Sequence, residues 1–121
     1  MTEARETHEL IGSDKVEGTN VYGTGDEKIG SIERIMIDKR SGRVSYAVLA
    51  FGGFLGVGHD HYPVPWPQLT YDTKLGGYRT HISKQQLDKA PKYANETDWD
   101  WGDPVRGRKV YDYYGAAWPA M

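Results

Sequence analysis

The run Arg43-Val44-Ser45-Tyr46-Ala47-Val48-Leu49-Ala50-Phe51 constrains the fold of this chain more than any other stretch. Side chains alternate across a strand, so Val44, Tyr46, Val48 and Ala50 share one face while Ala47, Leu49 and Phe51 share the other. Both faces turn apolar toward Phe51. A strand of that kind must be covered on two sides, by a closed sheet or by other layers.

The preceding run, residues 29–38, carries two signals. Ile29, Ile32, Ile35 and Met36 recur at near-helical spacing, whereas Ile35 and Ile37 alternate like a strand. Gly30 costs a helix interior about 1 kcal/mol, and isoleucine suits a pleated surface. The run is therefore read as a strand with a bulge near Glu33. Between the two strands, Asp38-Lys39-Arg40-Ser41-Gly42 places an acidic turn opener before a glycine that accepts positive φ, the chemistry of a short hairpin loop. The glycines of Gly52-Gly53-Phe54-Leu55-Gly56-Val57-Gly58 invite a phosphate-binding reading. That reading needs a helix to follow, and the alternating prolines of Tyr62-Pro63-Val64-Pro65-Trp66 forbid one. A tight bend carrying Phe54 and Leu55 inward is expected instead.

Around this centre the chain reads as mainly β. Residues 16–22 are a first strand candidate. Residues 68–72 and 77–82 read as a hairpin pair across Thr73-Lys74-Leu75-Gly76. At 82–87, Ser83 can cap a short helix, Gln86 completes a capping box, and Ile82 can staple against Leu87. Such a cap contributes about 1 kcal/mol, and Pro91 stops the helix. Residues 1–14 read as a mobile arm, with Leu10 and Ile11 free to tuck against the folded part.

Several of these segments resemble a known family. Glu27-Lys28-Ile29-Gly30 with Ile32, Ile35-Met36-Ile37-Asp38, Gly42-Arg43-Val44 leading to Ala47-Val48-Leu49, Gly53-Phe54-Leu55-Gly56-Val57-Gly58, and Val64-Pro65-Trp66 with Leu69 are together similar to the PRC-barrel domain. The Gly-Phe-Leu-Gly-Val-Gly corner is the most specific part. That family includes the cytoplasmic domain of the photosynthetic reaction centre H subunit and the carboxy-terminal domain of a ribosome maturation factor. The resemblance implies a small antiparallel β-barrel over 15–91 with one short helix at its end. It also implies no enzyme activity, because the family shares a shape and no catalytic residues.

Beyond it, the tail 92–121 holds Tyr93, Trp99, Trp101, Tyr111, Tyr113, Tyr114 and Trp118 among prolines, glycines and acids. Disordered linkers are poor in aromatics, so this irregular segment is expected to bury its rings or to use them. In one reading they pack on the chain's own barrel or on a second copy. In the other, Trp99, Trp101 and Tyr111 form an exposed platform for a sugar, a nucleobase or a protein.

Function is bounded more than named. The 121 residues make one domain with trimmings, and a formal net charge of −2 gives no electrostatic case for nucleic acid. The absence of cysteine excludes thiolate metal sites and disulfides. The first eight residues lack the apolar core of a signal peptide, and no segment approaches the ~20 apolar residues that cross a bilayer. A cytoplasmic protein without membrane insertion is expected. His59 and His61 would share one face of a strand, and with His81 they are the weak candidates for a metal site; the bland alternative puts them at an exposed loop mouth. Ser83 is better explained as a cap than as a nucleophile.

The leading expectation is a non-catalytic interaction or adaptor module without cofactor. It would be homodimeric and dock to a protein, in preference to RNA, through Phe54, Leu55 and the aromatic tail (Trp99, Trp101, Tyr111, Tyr113, Tyr114, Trp118). The alternatives are an adaptor in RNA processing or ribosome assembly, and a ligand- or metal-binding protein using His59-Asp60-His61.

Overall fold

The computed structural model describes residues 10–51 and 60–118. Its centre is a six-stranded sheet built from β1 (Asn20–Tyr22), β2 (Lys28–Ile37), β3 (Val44–Phe51), β4 (His61–Pro65), β5 (Thr70–Asp72) and β6 (Gly77–Arg79). The spatial order is β4-β3-β2-β1-β6-β5. Neighbours pair antiparallel except β1 with β6, which is parallel. A single 3-10 turn, Trp66–Gln68, joins β4 to β5, the two strands at the ends of the order. Three helices complete the fold: α1 (Ser13–Val16), α2 (Lys84–Asp88) and α3 (Pro104–Tyr113).

β2 is a strand with the bulge where the sequence places it. Ile32 pairs with Leu49 and Arg34 with Val48, so Glu33 is the unpaired extra residue. The turn after it closes as its composition demands. Asp38 Oδ1 accepts the amides of Arg40 (2.9 Å) and Ser41 (2.8 Å), and Gly42 takes a φ of +77°. β3 is covered on both faces, with Ala47, Val48 and Leu49 at 0% exposure. Val21, Ile32, Val64 and Val110 join them at the same exposure, so the core draws on the sheet and on α3 alike.

β4 is an edge strand, which explains how it tolerates two prolines. Tyr62 and Val64 face Leu49 and Ala47 across the ladder, whereas His61 turns its amide outward and donates to the Tyr93 carbonyl at 2.7 Å. Pro63 and Pro65 share the parity of His61, so the outer edge offers no further N–H beyond that bridge.

At the far end of the sheet, Arg79 ties two turns together. It reaches Asp26 Oδ1 at 2.6 Å and Asp72 Oδ2 at 2.9 Å, linking the β1–β2 turn to the β5–β6 hairpin. α2 has the capping box read from sequence: Gln86 N to Ser83 Oγ and Ser83 N to Gln86 Oε1, both 3.1 Å. Ile82 and Leu87 are both buried beside it.

The amino-terminal portion differs from expectation. Only the second half of 16–22 is a strand; Val16 ends α1 and is buried. Leu10 and Ile11 do not tuck against the sheet, being 87% and 46% exposed. Residues 104–113 are also more regular than the tail reading allows, forming α3.

Candidate functional site

The carboxy-terminal segment returns across the β4 edge and over the β2–β3 hairpin. Tyr93 is fixed first, by paired amide–carbonyl bonds with His61 and by stacking on the His61 ring at 5.1 Å between centroids. α3 then starts at a defined cap. The Asp103 carboxylate accepts the Val105 amide at 3.0 Å, and Pro104 occupies the first turn, where a missing N–H costs nothing. The buried face of α3 is Val110, Tyr111 and Tyr114, with Gly107 one turn earlier. A Cβ on Gly107 would lie 2.7 Å from Tyr46 Oη and 2.9 Å from Trp118 Cη2, so glycine lets the helix approach both rings. The Tyr111 hydroxyl donates to the Ser45 carbonyl at 2.6 Å, and the Tyr113 hydroxyl donates to the Gln86 carbonyl. These two bonds fasten α3 to β3 and to α2.

The result is a continuous run of rings. Tyr93 meets Trp99 (5.5 Å), Trp99 meets Trp101 (5.9 Å), and Trp101 meets Tyr46 (5.4 Å). Tyr46 meets Tyr111 (5.4 Å) edge-on, and Tyr111 meets Trp118 (5.2 Å) in the same manner. Tilted and edge-to-face pairs of this kind contribute about 0.5–1.5 kcal/mol each beyond the area they bury.

Between the hairpin, α3 and Trp118 the rings leave an open cleft of about 310 Å³. Tyr46, Trp101, Tyr111 and Trp118 line it, and Asp38 and Asp103 add its carboxylates. Backbone amides of the hairpin, that of Ser41 first, hold the Asp38 carboxyl below its ordinary range. Burial pushes the Tyr46 hydroxyl up to about 12, with the neighbouring Tyr111 adding to it, and burial raises Tyr111 as well. At neutral pH the site therefore offers aromatic faces, un-ionised phenols and carboxylate charge. Beside the cleft, Arg108 lies 5.3 Å from the Trp118 ring and lines an adjoining groove with Val105, Lys109 and Asp112. Arg106 lies over Trp99 at 4.9 Å.

Of the residues proposed from sequence for interaction, Trp99, Trp101, Tyr113 and Trp118 are half-buried, while Tyr111 and Tyr114 are buried in the protein's own packing. Phe54, Leu55 and His59 lie outside the described residues. His61 Nδ1 is 2.6 Å from Glu33 Oε1, and His81 is exposed. Among the described residues no three His, Asp or Glu side chains converge as a metal site would require. Sequence reasoning missed Tyr46, Asp38, Asp103 and Gly107 as parts of one site. The Asp103-Pro104 pair was the available signal, since it marks a helix start.

The family model for the PRC-barrel domain matches residues 8–87. No curated protein matches the chain. Among solved structures, the chain is similar to a protein of Pseudomonas aeruginosa described as a 16S ribosomal RNA processing protein, RimM. The likeness has 16% identity and a TM-score of 0.41, and covers 67% of this chain and 49% of that one. The match thus spans about half the length of the Pseudomonas protein. No helix among the described residues is long and apolar enough to cross a membrane. Because the family model takes in β1 through β6 and most of α2, this chain belongs to the PRC-barrel domain family.

Proposed function

We propose that the protein is a non-catalytic docking module that presents the aromatic cleft between the β2–β3 hairpin and α3 to a partner protein. The observation that carries this reading is the composition of the cleft: half-buried Tyr46, Trp101 and Trp118 beside Asp38 and Asp103. Rigid aromatic anchors in a shallow site are what protein interfaces use for most of their binding energy. Tyr46 and Tyr111 keep their protons at neutral pH, so they enter the cleft as neutral hydrogen-bonding phenols. The net charge of −2 favours a protein over RNA as partner. A homodimer would present two such clefts and add avidity.

Crosslinking capture from native cells with the full chain, beside Trp118→Ala, tests the reading. A protein retained by the wild type and lost by the variant is the expected result. Retention that ignores the substitution, or an eluate of RNA without protein, overturns it. Light scattering of the full chain decides the dimer, and a strict monomer removes it from the reading.

A further inference from the structure

We infer that the cleft takes the arginine side chain of a partner protein. This rests on the docking reading above and specifies what is docked. Among the described residues lining the cleft, the only acidic or basic side chains are Asp38 and Asp103, and both are carboxylates. The remaining lining is chiefly aromatic residues and glycine: Tyr46, Trp101, Tyr111, Trp118, Gly102 and Gly107. Electron-rich rings and carboxylates together attract a cation. The amino end of α3 opposes this with about half an elementary charge, but the full charge of Asp103 at that end outweighs it.

A guanidinium suits the geometry better than an ammonium. It is planar, stacks on aromatic faces, and carries a fork of donors that matches a carboxylate. The protein's own arginines already show the pairing nearby, with Arg106 over Trp99 at 4.9 Å and Arg108 over Trp118 at 5.3 Å. Arg108 lines the neighbouring groove and not the cleft, and Arg40, whose charge acts on Asp38, is exposed and is not part of the cleft lining. Asp103 spends Oδ1 on the Val105 amide, and a carboxylate has acceptor capacity well beyond one bond. At about 310 Å³ the cleft lies at the small end of ligand sites, about 300–1,000 Å³, a size for one inserted side chain. A neutral occupant would desolvate two carboxylates that have backbone amides as partners, Arg40 and Ser41 for Asp38 and Val105 for Asp103, whereas a guanidinium adds both donors and opposite charge.

The test titrates the full chain with a capped glycine-arginine-glycine peptide and its citrulline and lysine counterparts. Binding is read from the indole N–H resonances of Trp101 and Trp118, with Trp66 as internal reference. Saturable shifts at Trp101 and Trp118 with arginine are expected, and at least about tenfold weaker binding with citrulline. Asp38→Asn and Asp103→Asn keep the turn and the helix cap, because asparagine serves both roles. Each is expected to weaken arginine binding by about tenfold with cooperative unfolding retained. Equal binding of citrulline, absence of saturable shifts, or full binding by both variants overturns the inference. If capture of a partner is lost in Trp118→Ala yet kept in the Asp38→Asn/Asp103→Asn double variant, docking stands and the arginine falls. Arginine binding with no captured protein upholds the chemistry of the cleft and overturns its assignment to docking.

Discussion

Two tyrosines on α3 make opposite predictions for the same chemical change, removal of one hydroxyl oxygen. Tyr111 is 2% exposed and donates to the Ser45 carbonyl at 2.6 Å. Tyr111→Phe removes that bond and leaves a partly buried carbonyl with one donor fewer, a loss of about 1–1.5 kcal/mol. The Tyr114 hydroxyl is buried with no hydrogen-bond partner among the described residues. Its desolvation already costs about 1–3 kcal/mol without compensation, and burial raises its pKa strongly. Tyr114→Phe relieves that penalty and leaves a void of one oxygen, so it is expected to be neutral or to stabilise by up to about 1 kcal/mol. The two variants should therefore differ by about 1–2.5 kcal/mol in urea unfolding followed by tryptophan fluorescence at a shared m-value. In a domain of this size that is a separation of roughly 4–10 °C in melting temperature. Equal destabilisation by both would refute the reasoning, because it would mean the Tyr114 hydroxyl is satisfied in solution.

Four further outcomes follow from the packing. Gly107→Ala should cost about 1–3 kcal/mol, as the new Cβ meets Tyr46 and Trp118; a gain near the ~1 kcal/mol of helix propensity would show that α3 does not press on those rings. Tyr46, Tyr62, Tyr78, Tyr111 and Tyr114 all have pKa values raised above 10.0 by burial. The stability they contribute is complete below that value and falls as pH rises toward about 12, so the phenolates of these five, followed residue by residue through their ring resonances, should appear together with unfolding and not before it. The Asp72 carboxyl is lowered from 3.8, first by its hydrogen bond to Arg79; its contribution is present above 3.8 and lost as pH falls through the lowered value, so Arg79→Met should flatten the acid limb of the stability profile. Deletion of residues 92–121 removes Val110, Tyr111 and Tyr114 from the core and should lower the melting temperature by about 10 °C or more, whereas an unchanged melting temperature would mean that the segment is idle.

Where neighbouring residues determined the structure, the sequence was legible. Asp38 and Gly42 specify their turn, Ser83 and Gln86 specify the start of α2, and the two-faced apolarity of Val44–Phe51 specifies a covered strand. Two helices were not legible. α1 has four residues, too few for a periodicity to register. α3 hides its apolar face behind Arg106, Gly107, Arg108 and Lys109, although Asp103-Pro104 and Gly115, at φ +70°, bracket it correctly. The site itself was the least legible part. Its walls come from Tyr46 and from residues more than fifty positions later, and no local pattern states which rings will meet.

The site's position follows from the edge of the sheet. A returning segment would ordinarily extend the sheet by pairing along β4, satisfying its backbone as an added strand. Pro63 and Pro65 remove two of the three outward amides there, leaving His61 to make a single bridge to Tyr93. Unable to run along the edge, residues 94–103 cross it, and Trp101 lands on Tyr46 of β3 with Trp99 packed behind it. α3 then needs Gly107 to lie close and Asp103 to begin. The same covering that buries β3 thus builds an aromatic cleft that Asp38 and Asp103 also line. The family's barrel supplies Tyr46 and Asp38, and the segment beyond residue 87, outside the family match, supplies Trp101, Asp103 and Trp118. In the docking reading proposed above, Trp101, Asp103 and Trp118 are the part of the cleft that the family match does not supply. Grafting residues 92–121 away should abolish recognition, while changes confined to the β5–β6 hairpin should leave it intact.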